Sequence, residues 1–235
     1  DVQGDGADID EARRQVDPLL ATRLRRQARK LGVSTASLMH LAWAQVLSRL
    51  SGRQDVVFGT VLFGRMQSGE GADRTLGIFI NTLPICVSTG AKHVLDGVHE
   101  THATLTPLWH HEHAPLALAQ RASGVAAPTP LFSALLNYRH NISADAVSAD
   151  SLPGMQLINM KERTNYPCVL SVDDAGDSFG LTIQIPGEEQ AQRVVGYVHS
   201  ALEQLAAAID SDTNVYLDRL DVMPTSERTQ LVHGF

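Results

Sequence analysis

Cysteine is scarce in this chain: two residues, Cys86 and Cys168, among 235. Two isolated cysteines cannot form a disulfide framework, and a reducing compartment suits them better than an oxidising one. No apolar run approaches the length that crosses a bilayer, so no membrane partner is expected. The first residues, DVQGDGADIDEARRQ, are acidic and polar, unlike a signal peptide. The expected localisation is cytoplasmic. Basic residues are outnumbered, 19 Lys and Arg against 26 Asp and Glu, for a net charge of −7. The densest basic group, Arg23, Arg25, Arg26, Arg29 and Lys30, is too small for a phosphate footprint, which argues against nucleic acid as a partner. The chain also lacks GxSxG, CxxC and any glycine-rich loop ending in lysine and Ser/Thr. No internal repeat is present.

What remains is ordinary globular material, 43% hydrophobic and 19% charged, long enough to bury a sizeable core. Residues 1–16 carry no period and read as a flexible arm. A helix begins after Asp17 with Pro18 in its first turn, buries Leu20, Leu24, Ala28 and Leu31, and stops at Gly32. Ser34 or Thr35 caps a second helix running to about Leu50, apolar on most of its surface and therefore buried. Asp55–Leu62 and Gly77–Val87 read as strands, the second with Pro84 marking an edge or bend. A helical stretch from about His93 to Arg121 is broken at Pro107 and Pro115. Leu131–Tyr138 is a strand. Two alternating runs around DAGD (Asp174–Asp177) form a hairpin, and an amphipathic helix spans about Glu188 to Ile209. Residues 211–235 read as an exit linker. The expected fold is α/β (α+β), a mixed β-sheet covered by helices.

Five histidines fall within His99–His113, which raises the question of a metal. The spacings do not converge: no HExxH is present, and His111 and His113 are too close in sequence to share one helix face. No metal site is expected.

Three segments carry more information. Phe63-Gly64-Arg65, followed by Gly77-Ile-Phe79-Ile-Asn81-Thr82-Leu83-Pro84, resembles the GR…GxFxNTLPLR signature of the condensation domains of nonribosomal peptide synthetases. The stretch Leu31–Arg65 looks like the helix and strand that lead into it. His111–Arg121, PLFSALLNYRH (Pro130–His140) and TNYPCVLSVDD (Thr164–Asp174) also resemble that family. The likeness covers about Asp17 to Ile209. Leu217–Phe235 looks like the linker into an adenylation domain. Two departures stand out: Ile85-Cys86 replaces the arginine usual after NTLPL, and residues 123–129 lack the charges that often precede the PLF motif.

The family's catalytic motif is HHxxxDG. Lys92–Gly97 (KHVLDG) imitates it, but two residues rather than three separate His93 from Asp96, and Lys92 stands for the first histidine. No catalytic residue is therefore expected here. The resemblance implies a C-terminal lobe with a chloramphenicol-acetyltransferase-like fold, divided as arm 1–16, lobe 17–210 and linker 211–235. In a whole domain two such lobes form a V around a tunnel. The implied partners are the N-terminal lobe, upstream and downstream peptidyl carrier proteins, and the adjacent adenylation domain. No cofactor is bound directly; phosphopantetheine arrives on the carrier proteins. Arg65, Phe79, Asn81, Thr82 and Asn137 are the candidate tunnel or tunnel-support residues, and Gly64–Thr75 is a candidate element crossing to the other lobe. TNYP…LSVDD and the FGRMQSGEGADRT loop look most like condensation domains that also epimerize the donor. A non-catalytic carrier-binding or scaffold domain, or an epimerization domain of the same superfamily, are the alternatives.

Overall fold

The computed structural model describes residues 9–64, 76–126, 128–140, 164–211 and 215–234. Strands β1 (Ile9–Val16), β2 (Asp55–Leu62), β3 (Asn81–Ser88), β4 (Ala134–His140), β5 (Cys168–Asp174) and β6 (Phe179–Pro186) form one mixed sheet in the order β1-β6-β5-β4-β2-β3. β4 runs parallel to β2 and β5; the other pairs are antiparallel. The helices are α1 (Pro18–Leu31), α2 (Thr35–Ser51), α3 (Val94–Leu105), α4 (Leu116–Ala122), α5 (Glu188–Asp210) and α6 (Thr225–His233).

The caps set these boundaries. The Asp17 carboxylate accepts from the backbone N–H of Leu19 at 2.8 Å, and Pro18 opens α1. The Ser34 hydroxyl accepts from Ser37 N–H to start α2. Both helices end on left-handed glycines, Gly32 (φ 66°) and Gly52 (φ 69°). Ser37 to Val46 of α2 is buried without interruption, with Trp43 fully enclosed. The helix between His93 and Arg121 breaks at both prolines: a 3-10 turn, Thr106–His111, follows α3, and α4 begins after Pro115.

Strand pleating sorts the sheet into two unlike faces. Phe58, Ile85, Leu136, Leu170, Val172, Leu181 and Ile183 point to one face and share a single core with α1, α2, α3 and α5. The opposite face carries no long helix among the described residues. It holds a small cluster, Phe132, Leu135 and Val169, flanked by Leu116 and Tyr166.

Four expectations are corrected. Residues 9–16 are not a flexible arm: Ile9–Val16 pairs with β6 along its whole length and buries Ala12 and Val16. Its alternation is hidden by charges, Asp10, Glu11, Arg13 and Arg14, that suit an exposed sheet edge. β3 begins at Asn81 rather than Gly77, because the final rung of its partner is Leu62↔Asn81 and β2 ends there. β4 begins at Ala134 rather than Leu131, since Leu131 and Phe132 turn into the small cluster. Finally, the segment read as an exit linker, 211–235, is not free of the domain where it is described. Leu217, Leu220 and Val222 lie in the main core, and α6 follows them.

Candidate functional site

Parts of the signature-like segments meet on this second face. Thr82 pairs with Val61, and Asn137 with Ser171, which in turn pairs with Thr182. One step beyond the Thr60↔Leu136 pair, Val61 stands beside Asn137. A row of small polar side chains, Thr82, Asn137, Ser171 and Thr182, thus crosses the sheet. Thr82, Asn137 and Ser171 of this row floor a depression of about 280 Å³ whose apolar rim is Phe63, Ile80, Leu135 and Val169. The side chains of Thr82, Asn137 and Ser171 bond no described residue, so their donors and acceptors face the depression. The neighbouring long side chains are engaged in place. Arg139 pairs with Asp173 through two contacts of 2.8 and 2.9 Å, and Gln184 donates to Glu11.

Glycine makes this floor close. A Cβ on Gly59 would lie 2.3 Å from Leu135 Cδ2 and 2.5 Å from Phe132 Cε2. Gly64, left-handed at φ 67°, lets the Phe79 carbonyl approach so closely that a Cβ would sit 2.0 Å from its oxygen. Phe79 is half-buried against this turn, while Leu76 and Ile78 just before it are 97% and 98% exposed. Arg65 and most of the Gly64–Thr75 loop lie outside the described residues.

Asn81 points the other way from Thr82. Its amide donates to the carbonyls of Glu112 at 2.9 Å and Ala114 at 2.8 Å, and its oxygen accepts from Thr82 N–H. It fastens the turn before α4 to the end of β3. Sequence reasoning missed a second polar pair behind the sheet. His40 Nδ1 donates to Ala36 O at 2.7 Å, so Nε2 must accept, here from the Thr60 hydroxyl at 2.8 Å. Burial pushes the His40 imidazole down to about 4, only partly opposed by the Ala36 bond, so it is neutral. The pair borders a smaller cavity of about 160 Å³ with Trp109, Glu112 and Tyr138. A third network closes the β5–β6 hairpin onto α1. Asp174 accepts from Arg25, Tyr138 and the Gly176 N–H. Burial would raise its carboxyl, but these bonds outweigh it and hold the group at about 2. Only the hairpin pattern around Asp174 gave any signal for it in the sequence.

Among the described residues no group of three or more His, Cys, Asp or Glu could hold a metal ion. His99, His110, His111 and His113 are exposed. His93 is the residue before α3 and packs its ring on Tyr216 at 4.3 Å. Asp96 is exposed one turn on. The KHVLDG segment therefore holds residues 215–217 near the end of the chain. No described helix is long and apolar enough to cross a membrane.

The family model for the condensation domain matches residues 1–232, including both segments read as arm and linker. The chain belongs to the condensation-domain family. It is 50% identical to malpinin synthetase of Mortierella alpina over 98% of its own length, and 48% identical to malpibaldin synthetase of the same organism over all of it. A linear gramicidin synthase of Brevibacillus parabrevis is 27% identical over 87% of the chain. The chain spans only 3% to 4% of the length of these relatives. Among solved structures, the condensation domain from Monacolin K polyketide synthase MokA superposes with a TM-score of 0.74 at 21% identity, covering 89% of this chain and 48% of that one. A four-domain nonribosomal peptide synthetase superposes at 0.75 and 14% identity, covering 94% of this chain and 18% of that one. These likenesses establish the chloramphenicol-acetyltransferase-like fold of condensation domains, a mixed sheet with helices.

Proposed function

We propose that this chain is the C-terminal lobe of a condensation domain, and that the sheet face opposite the main core is one wall of the tunnel in which a nonribosomal peptide synthetase forms a peptide bond. The observation that carries this reading is the open row of Thr82, Asn137 and Ser171, whose side chains have no described partner, in a depression rimmed by apolar residues. An exposed apolar surface rimmed with polar groups marks an interaction site. The match to about half of a solved condensation domain supports a second lobe as that partner, and the exposed Leu76 and Ile78 support a crossing segment beside it.

In the reaction, the acceptor's amine attacks the donor's thioester carbonyl. A C–N bond forms, the C–S bond breaks, and the donor's phosphopantetheine leaves as thiol. The carrier proteins bring both substrates, and the HHxxxDG histidine of the other lobe serves as base or orienting group. This lobe would contribute position: Thr82 and Asn137 offer hydrogen bonds along the wall, Asn81 and Phe79 support it, and Arg65 belongs to the same signature. Residues 211–235 would lead toward an adenylation domain, and the assembly would act in the cytoplasm. The TNYP…LSVDD segment favours the subtype that also epimerizes its donor.

The test is reconstitution. The purified chain with two loaded carrier proteins is expected to give no peptide product. The chain joined to an upstream lobe bearing HHxxxDG is expected to give it, and Asn137→Ala should slow that reaction. Product from the chain alone, abolished by changing one of its histidines, would refute the reading. A parent protein that starts near Asp1, with no upstream lobe, would decide for a scaffold.

A further inference from the structure

The floor of the depression holds a buried hydroxyl. Ser171 is 7% exposed, yet its Oγ has no partner among the described residues. Asn137 stands beside it: β4 and β5 are in register at Asn137↔Ser171, and neighbouring strands lie about 4.8 Å apart. One amide can meet both side chains at that spacing. Its oxygen accepts from the Ser171 hydroxyl while its NH2 donates to the Asn137 oxygen. The surrounding lining is apolar: Val61, Leu135 and Val169, with the half-exposed Phe63 and Ile80. Among the described lining residues Arg139 is the one charged side chain, and Asp173 holds it through contacts of 2.8 and 2.9 Å. The volume of about 280 Å³ lies just below the roughly 300–1,000 Å³ of pockets for whole small molecules, and suits one long side chain.

We infer that Ser171 and Asn137 select the amino acid that is joined, favouring an uncharged side chain with an apolar stem and an amide tip, glutamine or asparagine. The inference rests on the reading of this face as a tunnel wall and names the side chain that the wall accepts. Its physical basis is the cost of covering polar groups. A methyl-tipped side chain of the same length shuts Ser171 and Asn137 off from water without bonding them, which costs about tenfold or more in rate. A site built around such groups rejects an isostere that lacks the matching atoms. A charged tip fails for another reason. It gives up its own water, and the one charge on the described lining is already engaged by Asp173. The selected amino acid rides on the donor carrier or on the acceptor carrier, and the chemistry at the tip is the same for both.

Reconstitution of the chain with an upstream lobe bearing HHxxxDG tests this. One carrier is loaded with glutamine, with methionine of nearly the same length, or with glutamate, while the other holds alanine. The donor side is varied first, then the acceptor side. In at least one of these arms glutamine is expected to be joined about tenfold faster than methionine or glutamate. Ser171→Ala should abolish that preference by slowing glutamine. Asn137→Asp keeps the size of the side chain and should shift the preference toward lysine, because its carboxylate supplies a counter-charge. Methionine or glutamate joined as fast as glutamine in both wild-type arms overturns the inference. So does a preference that survives both variants. A loss common to every substrate places the carrier's own pantetheine arm on Ser171, and overturns it too. A titration gives an independent readout. N-acetylglutamine methylamide added to this chain at millimolar concentration should move the backbone amide resonances of Asn137 and Ser171, and N-acetylmethionine methylamide should not. Absence of product from the wild type with every substrate contradicts the proposed function, and the titration then decides the inference: no movement with the glutamine compound, or equal movement with both, overturns it.

Discussion

His40 gives the fold a pH dependence that can be worked from its bonds. The imidazole is 2% exposed and sits between α2 and β2. Its Nδ1–H is committed to Ala36 O, and its Nε2 accepts from Thr60. Protonation would place a charge in a site taken out of water, so the folded group titrates at about 4 against 6.5 in the unfolded chain. A lowered imidazole contributes stability that is whole above about pH 6.5 and is lost as pH falls toward 4. Between pH 7 and pH 4.5 the loss amounts to about 2.5 kcal/mol, a large part of the stability of a typical domain. His40→Leu removes the titration but leaves the Thr60 hydroxyl without its acceptor, costing about 1–3 kcal/mol at pH 7. Urea unfolding of both proteins at pH 7, 5.5 and 4.5 should therefore give converging curves. The wild type is the more stable at pH 7, and the gap closes or reverses by pH 4.5, with unchanged m-values. Parallel profiles across that range would refute the reasoning, because they would mean that His40 takes up its proton in the folded state without penalty.

Asp174→Asn should destabilise by about 3 kcal/mol at pH 7, since it strands the Arg25 guanidinium, itself only 15% exposed, on the Phe179 ring. The wild-type carboxyl is depressed, so its contribution holds above pH 3.8 and is lost as pH falls toward 2; chemical denaturation from pH 5 to pH 2.5 should show the two proteins converging, and a constant difference would contradict the network. Gly59→Ala drives a methyl into Leu135 and Phe132 and should cost about 1–3 kcal/mol. A thermal midpoint equal to wild type would show that the floor of the depression is looser than described.

Local physics made much of the architecture readable in advance. Asp17-Pro18, Ser34, Gly32 and Gly52 announced the first two helices because caps act through bonds within a few residues. The hairpin and α5 declared themselves by alternation and by helical period. β1 did not, because its core-face positions are Asp10, Ala12, Arg14 and Val16, with only Val16 bulky and apolar, and its place in the sheet comes wholly from β6. The docked tail was illegible for a similar reason. Leu217, Leu220 and Val222 follow no helical or strand period, and what holds this stretch includes a notch in α3 for Leu217 and an arginine on α2, both more than a hundred residues away in sequence.

The signature itself shows where one sequence stops being informative. Asn81 and Thr82 are adjacent in a motif that reads as a unit, yet the pleat sends them to opposite faces. Thr82 joins Asn137 and Ser171 on the floor of the depression, while Asn81 spends its amide on two carbonyls at the base of α4. Those carbonyls reach Asn81 only because α3 and the 3-10 turn bring residues 106–114 back over the end of β3. A strand pattern predicts the alternation but not which face the helices will cover; that choice is made by α2, whose all-round apolar surface must be enclosed. Once α2 lies against Phe58, Leu136 and Ile85, every strand is oriented, and the residues left facing outward are fixed as a set. The candidate site is therefore a consequence of how the core is buried. Its residues can be named from the motif, but they can be assigned to wall or to support only after the helix that orients the sheet is in place.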